Sequence, residues 1–267
     1  MLPNFLGIGA QRAATTWIYE CLREHPEVYM ASIKEVHYFD TYYDRGLEWY
    51  EGHFEAADND KVVGEISPNY LHSKEAMQRI KELLPDVKLL ISLRNPAERA
   101  FSAYTLYNEQ FKGVSFEDAF KVSAHLRDVG LYYEQLKHIY EIFSREQCHV
   151  VFYDDISDTP EKVVEGIYEF LCVDKAFRPA AVTKVYNKII LPRLQNNLNY
   201  LGMGSALDYL KKTGAGEWLK KYLVKKDQKL KNEDTSRIPE SVYGYYAADL
   251  KELQVLVGRD LSHWACK

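Results

Sequence analysis

Two short stretches hold the residues best suited to chemistry on an anion. The first is Gly7-Ile8-Gly9-Ala10-Gln11-Arg12-Ala13-Ala14-Thr15-Thr16-Trp17. A short apolar run leads into a turn of small residues, and a helix opens with two threonines. Amides at a helix N-terminus lack intrahelical partners and favour negative charge. Small side chains let that backbone approach a phosphate or sulfate. Thr15 and Thr16 add hydroxyl donors, and Arg12 adds a fixed positive charge. The alternative is a tight turn with no ligand. The nucleoside-triphosphate loop GxxxxGK[ST] does not fit, because Ala14 and Thr15 stand where its second Gly and its Lys belong. No acidic residue suited to magnesium follows a later apolar strand, which speaks against a kinase or ATPase.

The second stretch is Leu93-Arg94-Asn95-Pro96-Ala97-Glu98-Arg99-Ala100-Phe101-Ser102-Ala103-Tyr104. Arg94 ends an apolar run, and Ser102 lies two turns into the helix that follows, so the two can meet at one phosphate. Arg99 and Ser102 are three apart and share a helix face. The alternative is an arginine closing a strand and a serine packed in a helix.

The elements that must hold these residues alternate. Phe5 to Gly9 reads as a buried strand, Thr16 to Glu24 as a helix, and Val62 to Ile66 as a second strand. Lys74 to Leu84 reads as a helix stopped near Pro85. Val87 to Leu93 is nearly all apolar, as in a parallel strand covered on both faces. Asn95 as N-cap and Pro96 at the first helical position predict a helix to about Tyr107. A helix over Gly130 to Phe143, a strand over Val150 to Tyr153 and a helix from Thr159-Pro160 complete the pattern, with Ile167, Phe170 and Leu171 inward. This alternation predicts an α/β fold: a P-loop-like open, mostly parallel sheet flanked by helices, with ligands at the strand ends. From about Lys184 the strand signals fade, which predicts a helical C-terminal portion. No linker or repeat appears, so one domain over 1–267 is expected.

Composition narrows the function. The 267 residues are 46% hydrophobic and 27% charged, as in an ordinary folded globule. With 34 basic and 39 acidic residues the formal charge is -5, which excludes nucleic-acid binding driven by overall charge. Cys21, Cys148, Cys172 and Cys266 form no CxxC pair or metal-type cluster, and no HExxH or clustered carboxylates occur, so no metal is expected. Scattered reduced thiols, no basic leader before the first strand and no long apolar run predict a cytoplasmic protein without a membrane span. Six lysines between Lys220 and Lys231 read as a solvated helix face or as a basic lid over an anionic ligand.

Together these stretches resemble the sulfotransferases that use 3′-phosphoadenosine 5′-phosphosulfate (PAPS). Arg12-Ala13-Ala14-Thr15-Thr16 is similar to the family's KxGTT loop, and Arg94 to Tyr104 matches R-[DN]-P-x-x-R-x-x-S-x-Y throughout. Lys34-Glu35-Val36-His37-Tyr38-Phe39-Asp40 resembles the KEVHFFD segment of the heparan-type and bacterial carbohydrate enzymes. Gly64-Glu65-Ile66-Ser67-Pro68-Asn69-Tyr70 resembles GExSPxY, and Leu256 to Trp264 resembles the closing segment. The motifs stand in the family's order over nearly the whole chain. Two positions depart: Arg12 replaces Lys, a planar fork for a point charge, and Ala14 replaces the loop Gly.

The resemblance implies an enzyme that moves a sulfuryl group from PAPS to a hydroxyl or amine of a small-molecule or saccharide acceptor, releasing adenosine 3′,5′-bisphosphate (PAP). It places Arg12, Ala13, Ala14, Thr15, Thr16 and Trp17 at the 5′-phosphosulfate, and Arg94 and Ser102 at the 3′-phosphate. Arg237, near a basic loop of relatives, joins them. Glu35 takes the place of the catalytic base, its pKa raised in a partly desolvated cleft. His37 is the second candidate, on the same face if the segment is extended. Glu65 is the third, or else an internal partner that orients the loop. Lys34, His37, Asn69 and Tyr70 line the acceptor side. The alternatives are a metal-dependent phosphotransferase, a non-catalytic module binding adenosine bisphosphate or a sulfated glycan, and a membrane-surface protein using the amphipathic segment 218–231.

Overall fold

A computed structural model describes residues 1–58, 62–107, 109–183 and 235–266. Met1–Lys184 together with Ile238–Lys267 form one compact unit and Val185–Arg237 a second. Of the second unit only the 3-10 turn Thr235–Arg237 is described. The lysine-rich stretch from Lys220 to Lys231 lies outside the described residues.

The first unit is built on a five-stranded sheet in the order β2-β3-β1-β4-β5. Its strands are β1 (Phe5–Gly9), β2 (Val28–Met30), β3 (Val62–Ile66), β4 (Lys88–Leu93) and β5 (Cys148–Phe152), and every pairing is parallel. β1 is central, with Leu6 opposite Glu65 on one side and Leu89 on the other. Phe5 to Gly9 is buried throughout, and β4 is buried from Leu89 to Leu93. Strands covered on both faces need apolar side chains on both, which explains why these runs do not alternate.

Helices α1 (Thr15–Arg23), α3 (Lys74–Leu83), α4 (Pro96–Leu106), α7 (Tyr132–Ile142) and α9 (Pro160–Leu171) follow the expected plan. Asn95 caps α4 by accepting from the amides of Ala97 (3.0 Å) and Glu98 (3.4 Å). In α9, Val163, Val164, Ile167, Tyr168 and Leu171 are buried. Phe170, expected inward, is only half-buried and stacks on His149 at 5.0 Å. Short helices α2 (Leu47–Glu51), α5 (Phe116–Val122), α6 (Ala124–Arg127) and α8 (Tyr153–Asp158) carry the connections. The last helix, α10 (Glu240–Val257), supplies the expected helical C-terminal portion. No described helix is long and apolar enough to cross a membrane.

Candidate active site

The ends of β1, β3 and β4 lie side by side, and each feeds a loop carrying one of the sequence motifs. The loop after β1 is tied down from β4. The Ala10 amide donates to the Ser92 carbonyl at 2.7 Å, and the buried Ser92 hydroxyl donates to the Ala13 carbonyl. Gly9 is required by close approach: a Cβ there would lie 2.6 Å from the Pro68 carbonyl oxygen and 2.7 Å from Leu71 Cβ. Arg12 (φ 71°) and Ala14 (φ 62°) are both left-handed, a conformation that favours glycine. The position that corresponds to the Gly of the KxGTT pattern is therefore one where the backbone favours glycine. Ala14 is also the N-cap of α1 and provides no side-chain cap. The first amides of α1 thus have no N-cap side chain to accept them.

Arg12 crosses to the second motif, with its Nε donating to Ser102 Oγ at 3.0 Å. The sequence expectation paired Ser102 with Arg94 instead. Arg94 is held by Glu98, one helical turn on, with Nη2 2.8 Å and Nε 3.2 Å from Oε2. The Tyr153 ring lies 4.4 Å from the Arg94 guanidinium carbon. Burial and then the Arg94 charge push the Arg12 pKa down, while Tyr107, Tyr153 and Glu35 act the other way. The Arg94 charge thus bears on a largely buried Arg12, and an anion held by both would relieve their repulsion.

Glu35 and His37 do not lie on an extended segment. Both are left-handed (φ 67° and 56°) and flank the buried Val36. The effect is still to bring the side chains together, with His37 Nε2 3.6 Å from Glu35 Oε2. On the other ring edge, His37 Nδ1 meets Asp40 Oδ2 at 3.0 Å. Asp40 and then Glu35 raise the His37 pKa to about 9. A carboxylate at each ring nitrogen favours the protonated ring, which speaks against reading His37 as a base. His37 and Lys34, whose ammonium pairs with Glu35, outweigh burial and lower the Glu35 pKa to about 2. The expected upward shift of Glu35 is therefore reversed, because its cations act more strongly than its desolvation.

Glu65 supports this loop from beneath. Fully buried, it accepts from Ser67 Oγ (2.6 Å), Tyr70 Oη (2.8 Å) and Tyr50 Oη (3.4 Å). Ser67 Oγ in turn accepts the His37 amide at 3.0 Å, and the Glu35 amide donates to the Ile66 carbonyl at 3.1 Å. Burial raises the Glu65 pKa despite these donors. Of the two readings open for Glu65, the geometry is that of a loop-orienting group. Tyr70 is fully buried with its hydroxyl on Glu65, so it does not line a cleft as expected. Asn69 is half-buried at the turn before Tyr70–His72. Arg237 is exposed at the end of its turn in the second unit.

Residue spacing alone carried signals for Asp40 (three after His37) and Glu98 (four after Arg94). Ser92 and Tyr153, remote in sequence from the groups they hold, left none.

The family model described as "Sulfotransferase domain" matches residues 2–237. The chain belongs to the sulfotransferase domain family. Its fold is close to that of a sulfotransferase from Alicyclobacillus acidocaldarius: TM-score 0.71 and 25% identity, with 99% of each chain covered. The sulfotransferase also resembles the membrane-associated sulfotransferase kil1 of Dictyostelium discoideum. That match is 26% identical and covers 65% of this chain and 56% of that one. It is 32% identical to heparan sulfate glucosamine 3-O-sulfotransferase 6 of Homo sapiens, covering 63% of this chain and 52% of that one. The chain spans about half the length of these two relatives.

Proposed function

We propose that this sulfotransferase takes its sulfuryl group from PAPS and transfers it to a hydroxyl, or an amine, of a saccharide or another hydroxylated small molecule. The observation that carries this reading is the 3.0 Å contact from Arg12 Nε to Ser102 Oγ, which joins the loop after β1 to the helix that follows Arg94, beside an uncapped helix start. One doubly phosphorylated adenosine would meet Arg12 and the amides of Ala14 to Trp17 at its 5′ end, with Thr15 and Thr16 as hydroxyl donors; the Ala13 amide, expected there too, already donates to the Ala10 carbonyl at 3.2 Å. Its 3′-phosphate would meet Arg94, with Ser102 completing the grip. The 3-O-sulfotransferase relatives support a saccharide acceptor. The single family match over 2–237 supports reading both units as one domain.

In the proposed reaction the acceptor oxygen bonds to sulfur as the bond from sulfur to the bridging 5′-phosphate oxygen breaks. PAP leaves with the bonding pair, and the acceptor proton passes to Glu35. Donors fixed in a water-poor cleft stabilise the charge that grows on the leaving oxygen. A hydroxyl already bonding to sulfur is far more acidic than a free alcohol, so a weak, fully ionised base suffices. His37 and Asp40 hold that base in place, and Lys34 and Asn69 border the acceptor.

A thermal-shift comparison of PAP with ATP tests the donor assignment. PAP is expected to raise the melting temperature at concentrations where ATP does not. An equal response to both would overturn it.

A further inference from the structure

Asp249 sits in α10, beyond the residues matched by the family model. It nevertheless reaches the donor site through a short chain of contacts. α7 has no side-chain cap of its own at its N-terminus. Asp249 supplies one from another helix: Oδ2 accepts the Tyr132 amide at 3.0 Å and Oδ1 the Tyr133 amide at 3.1 Å. These are two of the four amides that a helix start leaves open. The residue so fixed, Tyr132, is fully buried. Its hydroxyl donates to the Arg94 carbonyl at 3.1 Å.

The surrounding packing allows little play. A Cβ on Gly130, just before α7, would lie 2.9 Å from the Tyr246 ring of α10 and 3.0 Å from Pro96 Cβ of α4. Asn95 Nδ2 donates to the Trp264 carbonyl at 3.4 Å. Arg94-Asn95-Pro96 is thus held by Tyr132 from α7 and by Trp264 near the C-terminus, with Gly130 packed close against Pro96. Through Tyr132 the Asp249 carboxylate acts at one remove on the backbone that aims Arg94.

We propose that Asp249 is a positioning residue for the 3′-phosphate site: by capping α7 it sets the place of Tyr132, whose hydroxyl fixes the Arg94 carbonyl. This rests on the reading of Arg94 as the 3′-phosphate ligand. Asp249 touches no substrate, and its effect is confined to the ligand group that Arg94 reads.

The test compares calorimetric affinities for PAP and for adenosine 5′-monophosphate, which lacks the 3′-phosphate, in wild type, Asp249→Ala, Tyr132→Phe and the double variant. Each single variant is expected to lose PAP affinity ~10-fold, the scale of one broken buried hydrogen bond. Affinity for the monophosphate stays within ~2-fold, as expected for sites that do not share partners. Because both residues act along one path, the double variant loses no more than the worse single one. Asp249→Asn, with one accepting oxygen instead of two, falls between. An unchanged preference for PAP in the variants, or an equal loss for both ligands, overturns the positioning role while leaving the donor reading intact. A wild-type protein with no preference for PAP overturns the Arg94 assignment and this inference with it. If Asp249→Ala does not fold, Tyr132→Phe removes a single oxygen and decides the question.

Discussion

Arg12 Nε and Ser102 Oγ, 90 residues apart in sequence, meet at 3.0 Å across the strand tips. This contact joins the loop after β1 to the helix after β4. Both ends of a bisphosphate donor can then be read by one rigid frame. Ser92 braces the same frame from below through the Ala13 carbonyl. Glu65 braces the opposite side through Ser67 and the His37 amide.

Glu35→Gln keeps the shape of the loop and removes the proton acceptor. Turnover on the best acceptor from a panel of saccharides and phenols should fall ~100-fold or more. PAP affinity, measured by calorimetry, should stay within ~2-fold, because the donor contacts lie elsewhere. A variant with near-normal turnover would remove Glu35 from its role.

The Glu35–His37–Asp40 cluster should leave a mark on pH dependence. His37 has its folded pKa raised to about 9, so its stabilisation is full below its ordinary 6.5 and is lost as pH rises through about 9. Glu35 has its folded pKa lowered to about 2, so its contribution is full above 4.5 and fades as pH falls toward about 2. Together they favour a plateau between about pH 4.5 and 6.5. Asp40→Asn should move the His37 proton-titration midpoint, followed by NMR, down toward the ordinary value. A wild-type midpoint near 6.5 would contradict the cluster.

Ala14→Gly should stabilise the protein. Ala in the left-handed region costs ~1–2 kcal/mol, of which glycine's extra chain entropy returns part. A net gain of ~1 kcal/mol corresponds to a rise of ~2–4 °C in melting temperature for a chain of this size. PAP affinity should hold or improve, since the backbone turn is unchanged. A fall in melting temperature would show that the Ala14 methyl makes contacts worth more than the strain.

Much of the fold was legible because buried parallel strands are apolar on both faces and because Asn95 and Pro96 mark a helix start by local chemistry alone. β2 left no comparable signal: it has only three residues and starts just after His25-Pro26-Glu27. The candidate residues Arg12, Arg94 and Ser102 stood out by type and spacing, yet their pairing did not. Whether Ser102 meets Arg94 or Arg12 depends on how the β1 loop leans toward α4, which no local pattern encodes. The protonation states were hidden for a similar reason. Glu35 and His37 are set by left-handed backbone at both residues and by Lys34 and Asp40 around them. Tyr70 read as an acceptor contact because it closes a motif that resembles one at the family's strand end, but the buried Glu65 carboxylate accepts its hydroxyl and holds it in the core.

The most direct measurement is a crystal structure of the protein with PAP. The 5′-phosphate should lie within hydrogen-bond distance of Arg12 and the amides at the start of α1, and the 3′-phosphate within reach of the Arg94 guanidinium. PAP bound with its 3′-phosphate away from Arg94, or seated anywhere but between the β1 and β4 tips, would contradict the account.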